Sequence, residues 1–235
     1  MSKIINLITP SEGHFNPFVP IIKELIERKH NVVCLTGRAY KKRVEDAGAI
    51  FKPIPEKWDP MDVEIYDFFP ELKIKKGISQ IKYYLKNVLF KPIPDILTAL
   101  ENVIKKFPAD LILFDTFAYS GLFMTELGGP KCALLSVLPL SLPGRGIAPF
   151  GLGFLPGKSI FSKLRNNLLN VIFEKIVFRD VQSYVNVIRA EVGLPAHKKS
   201  LFIEGFEKPN LVLHTSIPSF EYDRAEFPEN FKFIG

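Results

Sequence analysis

Cysteine is scarce: two residues in 235, Cys34 and Cys132. That is too few for a disulfide framework or a four-ligand cysteine zinc site. Both lie in apolar runs, so free buried thiols are expected. Histidine occurs four times, at His14, His30, His197 and His214. None of these clusters with a cysteine at ligand spacing, and no metal is expected. Two phosphate loops are missing, G-x-G-x-x-G and G-x-x-x-x-G-K-[ST], and so is the G-x-S-x-G elbow of serine hydrolases. No apolar run reaches the roughly 18–20 residues of a membrane-spanning helix. Met1-Ser2-Lys3 leads straight into a strand-like run without leader features, which predicts a cytoplasmic protein. Lys and Arg exceed Asp and Glu by 31 to 25. They are spread out rather than massed, and nucleic acid is not an expected partner.

Apolar residues make up 47 % of the chain, enough for a full core. Short apolar runs that read as buried strands fall at 3–9, 31–36, 50–54, 111–114, 131–137, 210–214 and 231–234. Between the first two, Phe18, Ile21, Ile22, Leu25 and Ile26 recur at helical spacing. Asn16 reads as the N-cap of that helix and Pro17 as its first residue. Further helices are expected over 40–47, 78–107 with breaks at Pro92 and Pro94, 119–127 and 160–192. Residues 55–76 read as irregular. Strands alternating with helices over short connections predict a parallel sheet with helices on its faces. The expected fold is therefore α/β, a Rossmann-like parallel sheet, in a single domain over 1–235. Ligands of such sheets lie outside the carboxyl ends of the strands.

Two residues stand at such ends. His14, in the segment Pro10-Ser11-Glu12-Gly13-His14-Phe15-Asn16-Pro17, is suited to proton transfer near neutrality, its ordinary pKa being ~6.5. Asp115, closing the fourth strand, can accept the second imidazole N–H and stabilise the cation formed. The plainer alternatives are a solvated loop histidine and an N-cap for the helix near Tyr119. Arg38, after the second strand, leaves a 2′-phosphate and hence NADP open. Asp62-Val63-Glu64 has the acid-x-acid form of some metal sites but lies in an irregular loop, where a solvated turn is expected. Phe15, Trp58, Phe68, Phe69, Phe117, Tyr119, Leu138, Phe150 and Phe154 crowd the loops. They either line a pocket for a lipophilic molecule or bury one another.

Six ordered motifs add a resemblance. They are Gly13-His14-x-Asn16-Pro17, Lys29-His30-x-Val32, Ala47-Gly48-Ala49-x-Phe51, Pro108 to Asp115, Asn186-x-x-Arg189-x-x-x-Gly193-Leu194-Pro195, and Phe220-Glu221-Tyr222 followed by Pro228 to Gly235. Together they resemble the N-terminal half of the nucleotide-sugar-dependent glycosyltransferases of GT-B fold, family 1. The resemblance implies an inverting transferase with His14 as the base and Asp115 as its partner. It implies Gly13 and Asn16 beside the donor phosphates, and no metal or other cofactor. Phe15, Trp58, Phe68, Phe117, Leu138 and Phe150 are expected around a lipophilic, hydroxyl-bearing acceptor. The donor, expected to be a UDP-sugar, belongs to a C-terminal domain absent from this chain, so little turnover is expected from the chain alone. Two other readings stay open: a non-catalytic acceptor-binding module or partner subunit, and an NADP-binding oxidoreductase domain. The basic helices between Ile78 and Val192 leave peripheral membrane contact open.

Overall fold

The computed structural model describes residues 1–224 and 226–235. Seven strands form one parallel sheet: β1 Lys3–Leu7, β2 Asn31–Thr36, β3 Ile50–Pro53, β4 Leu111–Asp115, β5 Lys131–Ser136, β6 Leu211–His214 and β7 Phe231–Phe233. Their order is β3-β2-β1-β4-β5-β6-β7. The chain steps outward from β1 to β3, then returns to lay β4 on the other side of β1. The crevice between the carboxyl ends of β1 and β4 is thus the topological switch point, where open α/β sheets hold their ligands. Registers such as Ile4 with Leu111 and Leu7 with Phe114 fix this pair.

The central strands are apolar on both sides because both sheet faces are covered there, while the edge strands β3 and β7 expose Lys52 and Lys232. Ile5, Leu7, Val33, Leu35, Ile112, Phe114 and Leu134 point to one face. There they meet α7 Ile93–Lys106, α8 Ser120–Glu126, α10 Arg179–Glu191 and α11 Leu201–Glu207. Cys34, Leu113, Ala133 and Leu135 point to the other. That face is covered by α1 Glu12–Phe15, α2 Phe18–Glu27 and α3 Lys41–Asp46. Both cysteines are free and buried.

Several details differ from the sequence reading. His14 lies not on an open loop but in α1, a single turn, and α2 starts at Phe18 with Pro17 at its cap. Asn16 does not cap; it is itself in right-handed helical conformation. Residues 55–76 include short turns at Glu56–Trp58, α4 Ile65–Phe68 and α5 Glu71–Ile74. After α6 Ile78–Tyr83 the chain widens into a π-helical stretch, Tyr84–Phe90, before Pro92 caps α7. Pro94 falls in the first turn of α7, where its missing N–H costs nothing. A second π stretch, Phe173–Val177, follows α9 Ile160–Ile172. The helix α11 was not expected; it starts on Ser200, whose hydroxyl accepts the N–H of Phe202.

Candidate active site

The centre of the site is a carboxylate with no exposed surface. Asp115 ends β4, and its Oδ1 accepts Nδ1–H of His14 at 2.7 Å, the Thr9 hydroxyl at 3.0 Å and the Phe117 N–H at 2.9 Å. Its Oδ2 accepts the Thr9 N–H at 2.5 Å. Every bond comes from the segment just beyond β1 or from the turn after β4, so the two neighbouring strands build the site between them. Asp115 does not cap α8, whose first residues make no side-chain cap bond. A carboxylate only accepts, so its contact assigns the proton to Nδ1 and leaves the lone pair on Nε2. Among the described residues no protein group bonds Nε2.

His14 is 6 % exposed. Its ring lies on Phe117, centroids 4.6 Å apart, and Tyr84 meets Phe117 edge-on at 5.8 Å. Burial pushes the Tyr84 phenol up to about 12, and the Asp115 charge adds to the shift. Tyr84 therefore stays a neutral hydroxyl at physiological pH.

Phe117 and Tyr84 are also part of the wall of a cavity of about 580 Å³. Its lining is mainly apolar, with Ile54, Trp58, Met61, Phe69, Val88 and Ile96 prominent. Thr9, Ser11 and Glu12 bring the His14 segment to its edge, while His14 itself stands behind Phe117. Trp58 is held there by its indole N–H, which donates to Asp95 at 2.8 Å. At the rim Arg43 grips both oxygens of Glu12 at 2.9 Å and the side-chain Oδ1 of Asn16 at 2.5 Å. The Arg43 hydrogen bond and charge hold the Glu12 carboxyl below its usual range.

The comparisons with known proteins bear on the chain as a whole. A family model for the glycosyltransferase family 28 N-terminal domain matches residues 7–100, the stretch from β1 through the cavity wall. The chain is 31 % identical over 234 residues to 4'-demethylrebeccamycin synthase of Lentzea aerocolonigenes, covering 100 % of this chain and 56 % of that protein. Together with the sheet order, this sets the level of the likeness. In sequence and fold the chain is similar to the N-terminal half of GT-B glycosyltransferases.

UDP-glucosyltransferase B1 of Starmerella bombicola is 24 % identical over 245 residues, covering 99 % of this domain and 53 % of that enzyme. The crystal structure of CalG4, the calicheamicin glycosyltransferase, superposes with a TM-score of 0.67 at 19 % identity. It covers 100 % of the domain and 53 % of that chain, a likeness of fold. The domain thus spans about half the length of the curated relatives it matches. The matching model is that of family 28, whereas the motifs resemble family 1. GT-B is the level at which motifs, fold and comparisons coincide.

Of the residues singled out in the sequence, the domain brings His14 and Asp115 together and places Trp58 and Phe117 in the cavity wall. Phe15 does not belong there. It is fully buried in the core with Phe18 and Tyr40, because consecutive residues of one helical turn diverge and His14 turns to Asp115 and Phe117. Phe68 packs edge-on against Phe69, which lines the cavity in its stead. Leu138 is half-buried off the cavity, and Phe150 is exposed on a distant loop. Gly13 sits on the exposed side of α1 in ordinary helical conformation, so the turn does not require a glycine. Arg38 donates its N–H at 2.8 Å and its guanidinium at 3.0 Å to buried Asp59. That bond occupies the group a 2′-phosphate would need. Thr9 and Tyr84 were missed. Thr9 is recognisable only by standing one step past β1, and Tyr84 is hidden where the helical period widens.

The Asn186 to Pro195 motif lies elsewhere and is structural. Arg189, fully buried, forks onto Glu126 at 2.6 and 3.0 Å and donates Nε–H to the Pro195 carbonyl at 2.7 Å. Asn186 accepts the His197 N–H at 3.0 Å, and His197 in turn bonds Glu204. Gly193, at φ +84, supplies the left-handed turn that ends α10.

Proposed function

We propose that this domain binds a lipophilic, hydroxyl-bearing acceptor in the cavity beside Phe117, and that His14 is its general base in an inverting glycosyl transfer from a nucleotide sugar. The observation that carries the reading is the 2.7 Å bond from His14 Nδ1 to wholly buried Asp115 at the switch point of the sheet. An apolar binding pocket alone has no use for an imidazole pinned in one tautomer, which favours chemistry over a passive acceptor module.

The acceptor hydroxyl gives its proton to Nε2 while its oxygen attacks the anomeric carbon from the face opposite the diphosphate. The new C–O bond forms as the bond to the diphosphate breaks. The nucleoside diphosphate leaves with that electron pair, and the carbon is inverted. Asp115 stabilises the imidazolium formed at His14, through charge and through the hydrogen bond. The donor, a UDP-sugar by analogy with the name of the Starmerella bombicola relative, is held mainly by a second domain. The space beside Gly13 is open, which leaves room there for the leaving phosphates. The side-chain Oδ1 of Asn16 is committed to Arg43, so only its side-chain NH₂ remains for that role.

Trp58 provides the test. It is the sole tryptophan and lies in the cavity wall, so its fluorescence reports on the acceptor. Titration with hydrophobic phenols and polycyclic alcohols should give a saturable change. Ile96→Phe, which fills the cavity, should weaken it by about ten-fold or more. A flat Trp58 signal across such compounds would overturn the acceptor assignment.

A further inference from the structure

Helix α9 is turned inside out. Its buried side is polar: Asn166, with no exposed surface, donates to the carbonyls of Gly146 at 2.8 Å and Leu155 at 3.1 Å. Asn167 accepts the Gly146 N–H at 2.7 Å, and Asn170 donates to the Ile147 carbonyl at 2.6 Å. Its outward side is apolar. Ile160, Phe161, Leu164, Leu168 and Val171 are all exposed, Phe161 to 85 %. At 3.6 residues per turn these five fall within an arc of about 100°, and Lys163 and Arg165 flank it on either side.

The three asparagines hold the 146–155 loop, so α9 cannot roll its apolar arc inward without breaking their bonds to Gly146, Ile147 and Leu155. The same loop carries Phe150, Leu152, Phe154 and Leu155, also exposed. It adjoins the helix, with Arg165 stacked 4.7 Å over Phe154. Beyond α9, Ile176 continues the exposed apolar surface at 70 %.

Charge decides what this surface meets. Residues 145–179 contain Arg145, Lys158, Lys163, Arg165, Lys175 and Arg179, against Glu174 as the one acid. The segment accounts for +5 of the chain's +6. No helix among the described residues is long and apolar enough to cross a membrane. A short helix with a Phe/Leu/Ile face bordered by Lys and Arg is the pattern that lies in a lipid headgroup region.

We propose that the outward arc of α9, together with the Phe150–Leu155 loop, docks this domain on an anionic lipid bilayer. The apolar side chains enter the headgroup boundary and the six cations meet lipid phosphates and carboxylates. The inference does not rest on the transferase reading. It does bear on it, since α10, which follows the docking helix, packs on the Tyr84–Phe90 stretch of the cavity wall.

The test is co-sedimentation of the 235-residue chain with phosphatidylcholine vesicles, with and without phosphatidylserine. Binding should favour the anionic vesicles and weaken with added salt. Lys158→Gln with Lys175→Gln should reduce it on the order of thirty-fold, at about a factor of five per charge. Phe161→Ser with Leu164→Ser should reduce it on the order of a hundred-fold. Both pairs are exposed, so circular dichroism and thermal midpoint should not change. Absence of sedimentation with either vesicle overturns the proposal, as does binding that ignores both pairs of substitutions. Self-association of the chain that is lost on the paired Phe161→Ser and Leu164→Ser change, without vesicle binding, would assign the face to a second copy instead.

Discussion

Replacing Asp115 by Asn keeps the shape of the side chain and removes only its charge and half its acceptors. If the amide oxygen takes the place of Oδ1, it retains His14, the Thr9 hydroxyl and Phe117. The new NH₂ then faces the Thr9 N–H at the 2.5 Å Oδ2 position, donor against donor. If the amide turns over, NH₂ faces the other three partners, and His14 can meet it only by accepting at Nδ1. Either way a buried site loses charge-assisted bonds and leaves a donor unpaired, a cost of about 2–4 kcal/mol. For a domain of this size that lowers the melting temperature by roughly 5–15 °C. The second arrangement also moves the imidazole proton to Nε2, where the lone pair is needed, so turnover should fall by about 10²-fold or more. Thermal unfolding followed by circular dichroism reads the first effect. Nitrogen chemical shifts of the neutral His14 ring read the second, as a change from Nδ1–H toward Nε2–H. An Asp115→Asn variant with unchanged melting and the Nδ1–H tautomer retained would refute the idea that this carboxylate holds the imidazole.

Two further outcomes follow from the buried network behind α10. Arg189→Ala removes a fully buried guanidinium and strips Glu126 of its forked partner, leaving Lys208 at 2.5 Å. Urea denaturation should show a loss of about 3–5 kcal/mol, and a loss below about 1 kcal/mol would contradict the network. The second outcome concerns acid. Burial pushes the His197 imidazole down, only partly offset by Glu204. Burial would raise Glu204, but the Lys199 N–H, Lys208 and His197 outweigh it and hold its carboxyl down at about 2. In both cases the unfolded chain binds more protons than the folded one, so stability falls on acidification. The His197 contribution is full above its ordinary 6.5 and declines below it; that of Glu204 is full above 4.5 and is lost toward about 2. Urea midpoints taken through that range should drop in both windows, and Glu204→Gln should flatten the lower one.

The sheet was readable because parallel strands covered on both faces are unbroken apolar runs closed by turn residues. All seven appear where those runs lie. His14 and Asp115 were readable for a related reason: each follows a recognisable strand, and strand ends mark the crevice. What stayed hidden depends on orientation. Nothing in the order Gly13-His14-Phe15 tells which ring turns to Asp115, and one helical turn sends Phe15 into the core instead. Phe68 and Phe69 are the same ambiguity one residue apart. Tyr84 escaped because a π-helical stretch shifts the faces that a 3.6-residue period would assign. A helix was expected over 160–192, but nothing in its order showed which way the apolar stripe of α9 faces. Only the asparagine bonds to the 146–155 loop, which join residues about twenty positions apart, turn that stripe outward.

Whether His14 removes the acceptor proton is read from the turnover of His14→Ala. The assay joins this domain to a donor-binding half and supplies a nucleotide sugar and an acceptor that changes Trp58 fluorescence. The kcat should be lower by about 10²-fold or more, with acceptor binding at Trp58 retained because the apolar cavity wall is untouched. Turnover near the wild-type rate with that binding intact would contradict it.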